Sequence, residues 1–124
     1  TGWHRVREII GRDAVIGQVF ISREPVGAPL PESKWNQEDV ADRILSRILR
    51  LEGCEPGNAN SWSRYIYIHG TNQEQGLGSP CSHGCIRMAN RDVVRLVEHL
   101  QEADEHYCWI GNPEKAEASP DIEA

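Results

Sequence analysis

The rhythm of hydrophobic and polar positions changes several times along the chain. In WHRVREII, residues 3–10, Trp3, Val6, Ile9 and Ile10 are set among Arg5 and Arg7. This rough alternation predicts a strand or extended segment, closed by a turn at Gly11-Arg12-Asp13. QVFIS, 18–22, is short, β-branched and aromatic, and predicts a second strand. Residues 23–37 hold Pro25, Pro29 and Pro31 with Gly27, Ser33 and Asn36, which predicts a loop that Trp35 could anchor. From 38 to 51 the period lengthens. Val40, Ile44, Leu45, Ile48 and Leu49 recur at helical spacing, and the pattern alone predicts an amphipathic helix. After a turn-rich stretch, 52–63, comes the clearest strand, RYIYIHG at 64–70, which carries His69 at its end.

Residues 71–89 form a long irregular stretch with Gly76, Gly78, Pro80 and Gly84. Connections of that length are usually functional. The best helix follows. Asn90 is the expected N-cap, Asp92 suits the positive end of the helix dipole, and Val93, Val94, Leu96, Val97 and Leu100 make an apolar stripe. YCWIG, 107–111, predicts a last strand, and the acidic, Pro-containing residues 112–124 are expected to be disordered. Trp3 and Trp109 are assigned to the core. His4, His99 and His106 are assigned to the solvated surface, as is the acidic cluster Glu98, Glu102, Asp104 and Glu105.

Composition narrows this picture modestly. At 124 residues the chain suggests a single domain large enough to fold without disulfides or metal. A net charge of −6 argues against nucleic acid as the main partner. No apolar run approaches the roughly 20 residues of a membrane span. No export signal is legible, although a processed chain would have lost one. Four cysteines, Cys54, Cys81, Cys85 and Cys108, are too scattered for a disulfide framework, and Cys54 and Cys108 are expected to be buried and inert.

The candidate chemistry lies in SPCSHGCIRMAN, 79–90. A thiol is a strong nucleophile only as thiolate, so Cys85 needs a base. His69, 16 residues upstream at a strand end, is the candidate. Gly84 allows a tight turn whose amides, around 83–85, could converge as an oxyanion hole. Arg87 could hold a substrate carboxylate through a forked pair of hydrogen bonds. Three other readings stand beside this one. Cys85 and His69 could be core residues, Cys81 and Cys85 could form a disulfide, or His69, His83, Cys81 and Cys85 could bind zinc. The zinc set has the right ligand types, but all four come from one strand end and one loop.

YIHGT, 67–71, followed by GSPCSHGCIRM, 78–88, resembles the active-site motif of the YkuD-type L,D-transpeptidase catalytic domain. That motif is a histidine, a spacer, then Ser/Thr-His-Gly-Cys and an Asn or Arg shortly after. The matching positions are His69, Ser82, His83, Gly84, Cys85 and Arg87. TGWHRVREIIG is also similar to a strand of that domain, and the resemblance covers most of residues 1–111.

The resemblance implies a mostly β, mixed-sheet sandwich with one main helix after the active-site loop. It implies a strand over 43–51, in hairpin with 64–69, where the periodicity predicts helix. Cys85 would be the acylated nucleophile, His69 its base, and the Gly70 carbonyl the group that orients the imidazole. His83 and Gly84 would line the site, Ser82 would fix the loop, and Arg87 would contact substrate.

The family cross-links peptidoglycan stem peptides. The thiolate attacks the L,D bond of a tetrapeptide stem, and an amine from a neighbouring stem resolves the thioester. With water as acceptor the same fold is an L,D-carboxypeptidase, and a non-catalytic cell-wall or zinc-binding module is the remaining alternative. No cofactor or metal is implied. Carbapenem-type inhibitors would acylate Cys85, and the expected location is the periplasm or cell envelope. The family's leading strands would be missing before residue 1. Cys81 stands where relatives usually lack a thiol, which implies sensitivity to oxidation.

Overall fold

The computed structural model describes residues 1–37, 40–78, 85–100 and 104–111. In chain order the elements are β1 (Gly2–Ile10), β2 (Val19–Ile21), β3 (Glu24–Val26), β4 (Ile44–Gly53), β5 (Tyr67–Thr71), β6 (Ile86–Met88), α1 (Asn90–His99) and β7 (Tyr107–Ile110). The domain is mostly β, with one mixed sheet and one α-helix among the described residues.

β4 is the hub. β5 runs antiparallel along one edge, from Ile44↔Thr71 to Arg50↔Tyr67. The other edge takes β2 at Ile44 and Leu45, then β1 from Ile48 to Gly53. β1 is itself paired on both sides, by β4 and β7. β6 joins β5 in parallel.

The helical spacing of 44–49 has a structural cause. Between Leu45 and Ile48 the register with β5 slips, so Ser46 and Arg47 are looped into a bulge. Two inserted residues turn the alternation of a strand into apolar pairs, 44–45 and 48–49, which read as one face of a helix. The chain is a strand here because both faces of β4 are covered. Leu45, Ile48, Leu49 and Leu51 are all fully buried.

Two apolar clusters lie on opposite faces of this strand. Leu49, Leu51, Ile66 and Ile68 meet Val93 and Val97 of α1. Ile48, Tyr67 and Phe20 form the other cluster, against which Cys85 packs. Each such side chain contributes about 1.5–3 kcal/mol on burial. Together the two cores clamp β5 from both sides, and all five of its residues are buried.

Several expectations need correction. The stretch 23–37 contains β3, whose Pro25 is tolerated because β3 is an edge strand. β2 and β3 are joined by a two-residue turn at Ser22 (φ 49°) and Arg23 (φ 69°), the primed geometry that suits a hairpin. The stretch 71–89 includes β6. Asn90 is the first helical residue and Ala89 the N-cap; the Asn90 side chain turns inward. His4 is 2% exposed, and its Nε2 lies 2.9 Å from Ser61 Oγ. Cys54 is exposed. Residues 112–124, together with Cys81, Ser82, His83 and Gly84, lie outside the described residues.

Candidate active site

His69 sits opposite Arg87 in the parallel pairing of β5 with β6, and Ile68 sits opposite Ile86. Laterally paired residues project to the same face of a sheet. Cys85, one residue before β6, therefore stands beside Tyr67, on the face that carries His69 and one diagonal step from it. The face is the one opposite α1, which explains why Cys85 packs with Tyr67, Phe20 and Ile48.

The imidazole is 5% exposed, and its Nδ1 lies 2.7 Å from Gly70 O. A carbonyl only accepts, so Nδ1 carries the proton and Nε2 of the neutral ring is left as the basic nitrogen. Gly70 is fixed in turn. A side chain there would collide with Asn90 Oδ1 and come within 2.6 Å of Leu45 O. Burial lowers the His69 pKa. The Gly70 hydrogen bond and the Asp42 carboxylate oppose that shift, and the Arg87 charge adds to it.

The Cys85 thiol is half-buried and donates to Tyr65 O at 3.3 Å. Burial raises its pKa, partly offset by a hydrogen bond from the Tyr67 backbone. At neutral pH the site therefore rests as thiol and neutral imidazole, not as an ion pair. Such a pair can move a proton from sulfur to nitrogen as attack begins.

A polar brace lies beneath. Ser46, at φ 73°, accepts from the Gly17 amide at 2.9 Å and donates to Asn90 Oδ1 at 2.7 Å. Asn90 Nδ2 donates to Thr71 O at 2.7 Å and to Glu74 Oε2 at 2.9 Å. Asn90 thus ties the end of β5 to the start of α1 and to the β4 bulge. Arg87 is paired with Asp42 Oδ2 at 3.3 Å and donates to Gly76 O at 3.3 Å. Asp42 also accepts from the Thr71 hydroxyl. Sequence reasoning did not find Ser46, Asn90 or Asp42 in these roles, because their partners lie 44, 19 and 45 positions away. Among the described residues there is no cluster of three or more metal-ligating side chains. Nor is any helix there long and apolar enough to cross a membrane.

A buried histidine beside a motif cysteine on the neighbouring strand recurs in more than one enzyme class, so the comparison with known families is decisive. The model of the YkuD family, described as the L,D-transpeptidase catalytic domain, matches residues 1–108. The chain belongs to the YkuD family. Similar curated proteins carry matching names. "Putative L,D-transpeptidase YqjB" of Bacillus subtilis (strain 168) is 35% identical over 81 residues, 56% of this chain and 46% of that protein. "Probable L,D-transpeptidase YbiS" of Escherichia coli (strain K12) is 40% identical over 58 residues, 47% of this chain and 19% of that protein. "Putative L,D-transpeptidase YkuD" of Bacillus licheniformis is 59% identical over 29 residues, 23% of this chain and 18% of that protein. The matched part of the chain thus spans less than half the length of each of these relatives. No solved structure matches it. Within the YkuD fold of this chain, His69 and Cys85 lie on adjacent parallel segments, with Asp42 and Arg87 alongside.

Proposed function

We propose that this chain is the catalytic domain of a cysteine-dependent L,D-transpeptidase acting on peptidoglycan stem peptides in the periplasm or cell envelope. The observation that carries the reading is the pinned imidazole. Nδ1 is committed to Gly70 O, so Nε2 faces its task as base on the same sheet face as Cys85.

In the first half-reaction His69 Nε2 takes the thiol proton and Cys85 Sγ attacks the carbonyl of the L,D bond in a tetrapeptide stem. The motif resemblance would assign the stabilising of the tetrahedral oxygen to the amides at 83–85, with Gly84, His83 and Ser82 in supporting roles. The C–N bond breaks, imidazolium returns the proton to the leaving amine, and D-Ala departs. In the second half-reaction the amine of a neighbouring stem, deprotonated by His69, attacks the thioester and releases the thiol. Arg87 faces the same side and lends positive charge to the substrate, while its forked hydrogen bonds go to Asp42 and Gly76 in the free protein.

The test is acylation by a synthetic tetrapeptide donor, followed by mass spectrometry of the intact protein. The wild type should gain the tripeptide acyl mass on Cys85 and release D-Ala. Cys85→Ala should abolish both, by at least about 10³-fold, with an unchanged melting temperature. Product analysis with and without an amine acceptor separates cross-linking from hydrolysis. Full turnover by Cys85→Ala would falsify the reading.

A further inference from the structure

The tip of the β2–β3 hairpin places a guanidinium against two tyrosines that border the nucleophile. Ser22 and Arg23 both hold positive φ, so the chain reverses in two residues and the Arg23 side chain folds back toward β5. Arg23 donates through one terminal nitrogen to Tyr67 Oη at 3.0 Å, and its guanidinium lies 5.2 Å from the centre of the Tyr65 ring. Both tyrosines belong to the Cys85 environment. Tyr65 O accepts the thiol hydrogen bond, and Tyr67 shares the Cys85 cluster. The two rings meet edge to face, 6.5 Å apart. Arg23 is thereby one side chain removed from the sulfur, with Tyr65 and Tyr67 between them.

The other guanidinium groups nearby each face a carboxylate. Arg87 pairs with Asp42 at 3.3 Å, and its side chain is 7% exposed. Arg50 pairs with Glu8 at 2.7 Å, and Arg5 and Arg7 pair with Glu52 at 3.0 and 2.9 Å. Arg23 differs. Among the described residues its hydrogen-bond partner is a phenol oxygen, and the carboxylate that acts on it through space, Glu8, is the one bound to Arg50. A partly exposed guanidinium backed by aromatic rings is suited to receive an anion by charge-assisted hydrogen bonds.

Resting on the transpeptidase reading above, we propose that Arg23 is a specificity residue that binds a carboxylate of the donor stem peptide while Cys85 attacks. Two carboxylates of such a stem could reach it, the terminal carboxylate of the leaving D-Ala and the α-carboxylate of the D-Glu residue. The chemistry of recognition is the same for both.

The experiment measures D-Ala release and thioester formation for wild type, Arg23→Gln and Arg23→Lys. Three tetrapeptide donors are used: one with both carboxylates free, one with a terminal carboxamide, and one with D-Glu replaced by D-isoglutamine. For the wild type, one amidated donor should show a raised KM and so reveal which carboxylate is bound. Arg23→Gln should raise KM for the free donor about 10- to 100-fold with kcat little changed. It should have little effect on the donor amidated at the bound group. Arg23→Lys should recover part of the loss, and melting temperatures should match, since the residue is at a hairpin tip. A loss equal for all three donors, or no loss, overturns the proposal. Absence of acylation in the wild type would overturn the transpeptidase reading, a different outcome from acylation that is indifferent to residue 23.

Discussion

The charge states of two side chains decide how this site would work. Cys85 and His69 are both shifted toward their neutral forms, chiefly by burial, so the free protein holds a proton on sulfur and none on Nε2. The acid limb of kcat/KM for acylation should follow His69 and lie below the ordinary histidine value of about 6.5. Alkylation by iodoacetamide should be slow at neutral pH and rise only above the ordinary thiol value of about 8.5. Asp42 pulls the His69 pKa upward against burial. Asp42→Asn should therefore move the acid limb to lower pH, which a pH profile of D-Ala release would show. A limb that stays put or rises would mean that Asp42 matters only as the partner of Arg87. His4 teaches the complementary lesson about reading single residues. It looks like a polar residue in a half-exposed strand, but in the interior its Nδ1 donates to Gly2 O and its Nε2 accepts from the Ser61 hydroxyl. No local pattern announces a partner 57 positions away.

At the scale of elements, β5 and α1 depend on a brace of small and polar residues. Gly70→Ala would force a methyl group against Asn90 and the Leu45 carbonyl, and should cost about 1–3 kcal/mol in urea unfolding. Asn90→Ala should cost at least about 2 kcal/mol, because Ser46 Oγ and Thr71 O would be left buried without this partner. Both variants should also slow acylation, since Gly70 O is what aims the imidazole. Such couplings are hard to see in a sequence, whereas the strands that bury one face are easy. β1, β2, β5 and β7 were legible from alternation and β-branched or aromatic content. β4 was legible only through the family resemblance, because its bulge mimics helical spacing. The β2–β3 turn was missed because Ser-Arg is not the usual chemistry for two positive φ angles. The motif cysteine and histidine were legible because their spacing is specific. Their convergence depends on a parallel pairing that spacing alone does not express.

For the whole molecule, the two buried histidines among the described residues should contribute to the response to acid. His4 and His69 both have pKa values lowered by burial. Between the folded and unfolded values the unfolded chain binds more protons, so stability rises with pH there. The contribution is present above the unfolded value, about 6.5, and is lost as pH falls toward the folded values. The melting temperature should therefore drop on acidification from pH 7 to pH 5. His4→Gln and His69→Gln should each flatten that drop, a comparison that calorimetry can make directly. An unchanged slope in both variants would place the acid response elsewhere. The parallel union of β5 and β6 has one more outcome. Antiparallel neighbours can be joined by two residues, but parallel neighbours need a crossover that carries the chain back to its starting end. The 14 residues between Thr71 and Ile86 are therefore a geometric necessity before they are anything else. Whatever side chains occupy that span, cutting it short would drag the sulfur out of step with the ring, and an intact motif would be left with no partner to activate it.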